Sequence, residues 1–246
     1  MTNAQFKRIQ SLRHRKSRSE QRAYLVEGEK CAREWLMSTV QLHCIVAVRS
    51  WIETNAELIA RHPEAILIHA EEFEMERLTN LTHAQKVLLV AEQADAVDYF
   101  SHADNWQLYL DKIQDPGNMG AIIRIADWFG IRNILCSPDC VEIYNPKVIQ
   151  ASMGSLLRVG FTELTHEHFL TINNKPIYAT SLAGKNIKKL EQRPCGVIAM
   201  GNEGRGLSEV ILQSAQYQIM IPRVGGAESL NVSVAAGIIC SELILG

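Results

Sequence analysis

Long apolar runs are missing from this 246-residue chain. The longest stretch without Asp, Glu, Lys or Arg, Trp35 to Val48, has 14 positions and is broken by Ser, Thr, Gln and His, whereas a membrane span needs about 18 apolar residues. No membrane association is expected. An apolar signal segment is missing from the N-terminus, Met-Thr-Asn-Ala-Gln-Phe-Lys-Arg, which points to the cytoplasm. The six cysteines, Cys31, Cys44, Cys136, Cys140, Cys195 and Cys240, include no C-x-x-C pair, so neither a disulfide framework nor a zinc ribbon is expected. Cys136 with Cys140 and His166 with His168 come nearest to ligand spacing without making a ligand set, and no metal is expected. What is present is ordinary: 47% apolar and 21% charged residues with a mean hydropathy of −0.05. Such a chain buries a core and is not disordered, and its length suits two small domains.

The net charge of −2 conceals an asymmetry. Residues 1–30 hold eight Lys or Arg and three Glu, a net +5, which leaves 17 against 24, a net −7, for the remainder. Lys7, Arg8, Arg13, Arg15, Lys16, Arg18 and Arg22 fall within sixteen residues, ahead of the first convincing apolar run. That is the footprint expected of an arm that touches nucleic-acid phosphates, and a solvated basic helix end is the plainer alternative.

Short apolar runs then alternate with helical patterns. Tyr24-Leu-Val, Cys44–Val48, Ala65–His69 and Val87–Ala91 read as strands, and the stretches near Gly28–Met37, Trp51–Ala60 and Glu71–Leu78 as helices, which makes a small α/β domain over residues 1–97. The stretch from Glu92 to Asn105 loses apolar periodicity and gains acids, and the linker is placed at 98–105. From residue 106 the pattern is strand, crossover, strand: Leu108-Tyr-Leu, a helix to Phe129, then strands at Asn133–Cys136, Ile177–Thr180, Gly196–Met200 and Gln218–Ile221. This alternation predicts a parallel sheet with helices on both faces and ligands beyond the carboxyl ends of the strands. Asn231–Leu245, apolar nearly all round, predicts a buried helix.

Three constellations stand at strand ends. In Asp115-Pro-Gly-Asn118, Pro116-Gly117 is turn chemistry and Asn118 is a candidate helix cap. At 100° per residue the buried stripe of that helix is Ile122, Ile125, Ala126 and Phe129, while Gly120, Arg124 and Asp127 point away. The second is Gly201-Asn-Glu-Gly-Arg-Gly206, whose glycine order is not that of dinucleotide binding and whose Glu203 stands alone among glycines. In the third, Glu228-Ser-Leu-Asn-Val-Ser233, Ser229 or Asn231 caps the final helix, and capping accounts for only one of its four polar residues.

In this order the constellations resemble the SpoU family, the TrmH-like RNA ribose 2′-O-methyltransferases of the SPOUT superfamily. The residues that carry the resemblance are Asn118-x-Gly120-x-x-x-Arg124, Gly201-Asn-Glu-Gly-x-Gly206 and Ser229-Leu-Asn-Val-Ser233, over roughly residues 106–246. Val26-Glu-Gly28, after the basic segment, is similar to the start of that family's N-terminal substrate-binding domain. Arg223 stands where such sequences often carry Met, and the Gly225–Glu228 loop is individual, which bears on substrate choice. The resemblance implies a small N-terminal α/β substrate-binding domain followed by a parallel-sheet methyltransferase domain with a C-terminal trefoil knot, and a homodimer formed through the knotted domains. It also implies transfer of a methyl group from S-adenosylmethionine to a ribose 2′-hydroxyl, with ribosomal RNA favoured and transfer RNA next. By motif position the cofactor contacts lie near Thr180, Met200, Gly201, Ile221 and Leu230. The resemblance makes the arginine matching Arg124 a participant, and since a guanidinium stays protonated its expected role is phosphate binding and charge stabilisation. The resemblance further implies that Asn118, Ser229 and Asn231 would orient the ribose and Arg124 and that Glu203 would order the cofactor loops and help hold the arginine; the general base is unassigned.

Two other classes stay open. An RNA-binding or ribosome-associated protein can retain the fold without activity, and cofactor affinity separates it from an enzyme. A nucleotide-dependent oxidoreductase fails on the glycine order.

Overall fold

The computed structural model describes residues 1–94, 105–202 and 204–246, and its contacts divide the chain into Met1–Asp95 with Glu142–Leu157, and Ala96–Val141 with Arg158–Gly246. The 98–105 linker lies, but for residue 105, outside the described residues.

In the first unit the basic segment is folded. Helices α1 (Asn3–Ser11) and α2 (Arg15–Gln21) precede β1 (Ala23–Glu27). Thr2 accepts the Gln5 backbone N–H while the Gln5 side chain returns to the Thr2 N–H, a reciprocal cap that starts α1. Ile9 and Leu12 are buried in the unit's core. There follow α3 (Glu29–Met37), β2 (Leu42–Ala47), α4 (Arg49–Thr54), α5 (Ala56–Ile59), β3 (Ile66–His69), α6 (Glu72–Leu78) and β4 (Val87–Glu92). The sheet order is β1-β4-β2-β3, with β4 antiparallel to β1 and β2, and β2 parallel to β3. Trp35 fills the core and satisfies its indole N–H on the Tyr24 hydroxyl at 2.8 Å. The helix expected over Trp51–Ala60 is split at Asn55, whose Nδ2 donates to the Trp51 carbonyl at 2.8 Å and competes with the backbone ladder.

The second unit begins with β5 (Gln107–Asp111), α7 (Pro116–Trp128) and β6 (Asn133–Cys136). The chain then returns to the first unit for residues 142–157, which the sequence reading kept with the methyltransferase domain. There Tyr144 stacks on Tyr24 with ring centroids 4.6 Å apart, and Ile149 of α8 (Pro146–Ser152) joins the first unit's core. The second unit resumes with β7 (Gly160–Glu163), α9 (His166–Ile172), β8 (Ile177–Asn186), β9 (Val197–Gly201), α10 (Glu209–Ser214), β10 (Tyr217–Met220) and α11 (Val232–Ile244).

The six strands run in the order β10-β8-β9-β5-β6-β7 with every pairing parallel, as the alternation of elements implied. Burial on both faces explains the uninterrupted apolar runs Leu108–Leu110 and Val197–Met200. One face carries Tyr109, Ala199 and Leu207 against α9 and α10, with Tyr109 stacked on Phe169 at 4.1 Å. On the other, α7 and α11 pack together. Between β8 and β10 the register jumps from Gln218↔Ala179 to Ile219↔Lys185, so residues 180–184 bulge from the ladder. The final helix is not buried all round as expected: Val232, Ala236, Ile239, Cys240 and Leu243 are covered, while Val234 is 51% exposed. An apolar sequence shows that a face seeks cover, not which element covers it.

Candidate active site

The first and third constellations meet through their side chains. Asp115, not Asn118, caps α7: its Oδ1 accepts the Asn118 N–H at 2.8 Å, a contact of about 1 kcal/mol. The Asn118 side chain is not the cap, and its Oδ1 accepts Asn231 Nδ2 at 2.8 Å. Asn231 in turn caps α11, its Oδ1 accepting the Ser233 and Val234 backbone N–H groups at 2.9 and 3.4 Å and the Ser233 hydroxyl at 2.6 Å. Two helix starts 113 residues apart in sequence are thus joined by one amide–amide hydrogen bond. Ser229 is exposed beside them.

Six residues further along α7, about 9 Å by helical rise, Arg124 is exposed and forms no hydrogen bond or ion pair among the described residues. The buried face of α7 is Met119, Gly120, Ile122, Ile123 and Ala126. Gly120, expected to point outward beside Arg124, is therefore inside, and Ile125 and Phe129 are only half-buried. The shift follows from α11, which takes Ile125 as its partner: Ile125 Cδ1 lies 3.8 Å from where a Cβ on Gly237 would stand.

The second constellation is a loop doubled back on itself. The Gly206 N–H donates to the Asn202 carbonyl at 2.8 Å, and Asn202 Oδ1 accepts the Gly204 and Arg205 N–H groups at 2.9 and 3.4 Å. A side chain at Gly201 would run into the Gly206 and Leu207 backbone, and Gly206 has φ +69°. These two glycines are required by the turn itself. Glu203 lies outside the described residues.

Met200 and Gly201 end β9, Ile221 directly follows β10, and Thr180 lies within β8, just past Ala179, where its pairing with β9 stops. Met200 is buried, the other three are half-buried, and Leu230 is 47% exposed. Arg223 Nη1 donates to the Ala227 carbonyl at 3.1 Å and closes the Gly225-Gly226 turn.

The sequence reading missed a polar cluster at the end of β5. Asp111 has a wholly buried side chain, a placement that costs several kcal/mol unless the charge is met. Its Oδ2 accepts the Ser208 N–H at 2.6 Å, and its Oδ1 pairs with His166 Nε2 at 3.0 Å. Burial pushes the carboxyl up, but the hydrogen bonds from Ser208 and His166 outweigh it and hold the group below the usual aspartate range. The signal available was an acid ending an apolar strand, weaker than the glycine patterns around it. His166, noted only for its spacing from His168, is occupied by this carboxylate. Among the described residues no three His, Cys, Asp or Glu gather as metal ligands, and no helix is long and apolar enough to cross a membrane.

The basic residues separate into two groups. Arg18 is 2% exposed; its Nε donates to Glu142 Oε1 at 2.9 Å, its Nη2 pairs with Glu142 Oε2, and its Nη1 meets the Leu12 and Arg13 carbonyls at 2.8 Å. Arg13 donates to the Arg77 and Thr79 carbonyls at the end of α6, both at 2.8 Å. These two hold the first unit together and leave Lys7, Arg8, Arg15, Lys16 and Arg22 as the exposed cations of the segment. Glu27 of the Val26-Glu-Gly28 motif is also structural, accepting from the Thr79 hydroxyl at 2.7 Å, the Asn80 N–H at 2.9 Å and the Asn80 amide.

Residues 105–241 match the SpoU rRNA Methylase family, and residues 3–89 match the MRM3-like substrate binding domain. The chain is 25% identical over 250 residues to the 23S rRNA (guanosine(2553)-2′-O)-methyltransferase RlmP of Bacillus subtilis, across 98% of this chain and 96% of that protein. It is 36% identical over 141 residues to an uncharacterized tRNA/rRNA methyltransferase of Synechocystis, across 55% of this chain and 51% of that protein. It therefore spans about half the length of that relative. Among solved structures, a TrmH-family protein of Porphyromonas gingivalis superposes with a TM-score of 0.86 at 31% identity, over 99% of this chain and 98% of that one. An AdoMet-bound rRNA methyltransferase of Sinorhizobium meliloti superposes with a TM-score of 0.88 at 27% identity, over 99% and 95%.

Proposed function

The chain belongs to the SpoU rRNA methylase family, and on that premise we propose that it is a cytoplasmic enzyme that transfers a methyl group from S-adenosylmethionine to a ribose 2′-hydroxyl of structured RNA, ribosomal RNA ahead of transfer RNA. The observation that carries this reading is the Asn231–Asn118 hydrogen bond at 2.8 Å. It joins two of the three motifs at the sheet's ligand-binding edge, with Asp115 rather than Asn118 taking the cap of α7.

The residues present fit the cofactor. Half-buried Ile221 after β10 offers an adenine an apolar surface, and the turns at Gly204, Gly225 and Gly226 leave room for a ligand beside the backbone. When bound, S-adenosylmethionine supplies a methyl group already activated by its sulfonium. The chain then has to orient the 2′-hydroxyl in line with that carbon and help remove its proton. In this reading Asn118, Asn231 and Ser229 orient the ribose, and Arg124, exposed and unpaired among the described residues, meets the RNA phosphate. Glu203 orders the cofactor loops. The first unit presents Lys7, Arg8, Arg15, Lys16 and Arg22 to the RNA backbone.

The same reading gives the second unit a trefoil knot and a homodimer, and the uncovered face of α11 around Val234 supports the dimer, because an apolar helix face on a soluble protein seeks cover. The experiment is calorimetry with S-adenosylmethionine beside a methyl-transfer assay on RNA from cells lacking the gene. Cofactor binding with transfer is expected. RNA binding with neither would favour a protein that keeps the fold without the activity.

A further inference from the structure

The polar cluster at the end of β5 has no part in the transfer as proposed above. It lies on the α9 and α10 face of the sheet, since Asp111 shares the side of Tyr109, which stacks on Phe169. Asn118, Arg124 and Asn231 belong to α7 and to the start of α11, the pair that packs on the other face. The cluster is nevertheless tied to both ends of the glycine loop. At the near end, Asn202 Nδ2 donates to the Lys112 carbonyl at 3.1 Å. At the far end, the Ser208 N–H donates to buried Asp111 at 2.6 Å, and Lys112 Nζ donates to the Ser208 hydroxyl at 3.3 Å.

Lys112 makes these contacts from a left-handed backbone, φ +58°, a conformation that a residue with a Cβ holds only where its surroundings enforce it. The enforcement is visible. Its own N–H donates to Ser137 Oγ at 2.9 Å. The loop does not need these ties in order to close, because the Gly206 N–H to Asn202 carbonyl bond already closes it. What the ties add is location: they fix the loop that follows β9 beside the end of β5.

We infer that Asp111 and Lys112 are positioning residues, which hold the Asn202–Ser208 loop from behind in the one placement that receives S-adenosylmethionine. The inference rests on the cofactor use proposed above. His166 serves it by meeting the second oxygen of Asp111, which leaves the first to Ser208.

The test contrasts Lys112→Gly, which keeps the left-handed backbone at no cost, with Lys112→Val, whose branched side chain resists it. Three quantities are measured on the full-length protein: the dissociation constant for S-adenosylmethionine, amide exchange of residues 202–208 without cofactor, and KM and kcat with acceptor RNA. For Lys112→Gly, which keeps the carbonyl tie to Asn202 and loses the Nζ tie to Ser208, an affinity between those of wild type and Lys112→Val is expected. For Lys112→Val, the expected result is at least tenfold weaker affinity, faster exchange in 202–208, and kcat within about twofold at saturating cofactor. Asp111→Asn should behave like Lys112→Val; if that variant does not fold, the Lys112 pair decides. Affinity and exchange in Lys112→Val that match those of wild type, with wild type binding normally, would overturn the positioning role alone. A wild-type chain that does not bind S-adenosylmethionine would overturn the cofactor reading and this inference with it.

Discussion

Arg18 and Arg124 carry the same guanidinium into opposite settings. Arg18 is locked against Glu142 and two carbonyls, so Arg18→Met leaves a largely buried carboxylate without its counterion. A loss of about 3 kcal/mol is expected, read by calorimetry as a lowered unfolding temperature, whereas Lys7→Ala on the open surface should change stability by less than about 0.5 kcal/mol. Arg124→Ala should abolish methyl transfer and leave S-adenosylmethionine binding within about twofold, because Arg124 is exposed and makes no hydrogen bond or ion pair among the described residues; unchanged turnover would remove it from the site. Asp111 has a signature in pH. Its folded-state acidity is strengthened, so the carboxylate contributes stability that is full above the unfolded aspartate pKa of about 4 and is lost as pH falls through the lower folded value. The stability gap between wild type and Asp111→Asn should be widest near neutrality and narrow below about pH 4; a gap that widens in acid would reverse the sign assigned to those hydrogen bonds. At this scale the sequence was legible for chemistry and not for partners. Nothing in a count of basic residues shows that Glu142 waits 124 positions away, nor that Asp115 rather than Asn118 takes the cap.

Among the elements, the strands of the second unit were readable because both their faces are buried, so β5 and β9 are continuous apolar runs bounded by turns. The edge strand β7, Gly-Phe-Thr-Glu and only half-buried, has no such run and was not anticipated. Helices α8, α9 and α10 have six or seven residues, too few for a 3.6-residue period to declare itself. Helices α1 and α2 bear on the RNA experiment. Deleting residues 1–22 would remove Ile9, Leu12 and Arg18 from the core and confound binding with folding. Replacing Lys7, Arg8, Arg15, Lys16 and Arg22 together by Gln keeps the fold, and the slope of log affinity against log salt should fall by about 0.9 for each cation that meets a duplex phosphate. An unchanged slope would make them solvated surface. For α11, Val234→Asp should convert a dimer into a monomer by light scattering, with the thermal transition retained; a wild-type chain that is already monomeric would contradict the dimer.

For the whole molecule, composition and alternation foretold two α/β parts, but not that residues 142–157 would leave the second for the first. Periodicity records which face of α8 seeks burial and carries no address for the surface it buries against. If the proposed dimer builds each site from two chains, Arg124→Ala and Glu203→Ala chains, each inactive alone, should complement when co-expressed. Random pairing makes about half the dimers mixed, with one intact site of two, so roughly a quarter of wild-type activity should return. Heterodimers verified by mass spectrometry that stay inactive would withdraw the shared site. The central claim is transfer to a ribose oxygen, and the measurement that addresses it most directly is the chemical position of the transferred methyl group. Ribosomal RNA from cells lacking the gene is incubated with the protein and S-adenosylmethionine carrying a labelled methyl, then hydrolysed in alkali, which cannot cleave a linkage whose 2′-oxygen is methylated. The account predicts label in an alkali-resistant dinucleotide, absent with Arg124→Ala; label released on a base-modified mononucleotide would contradict it.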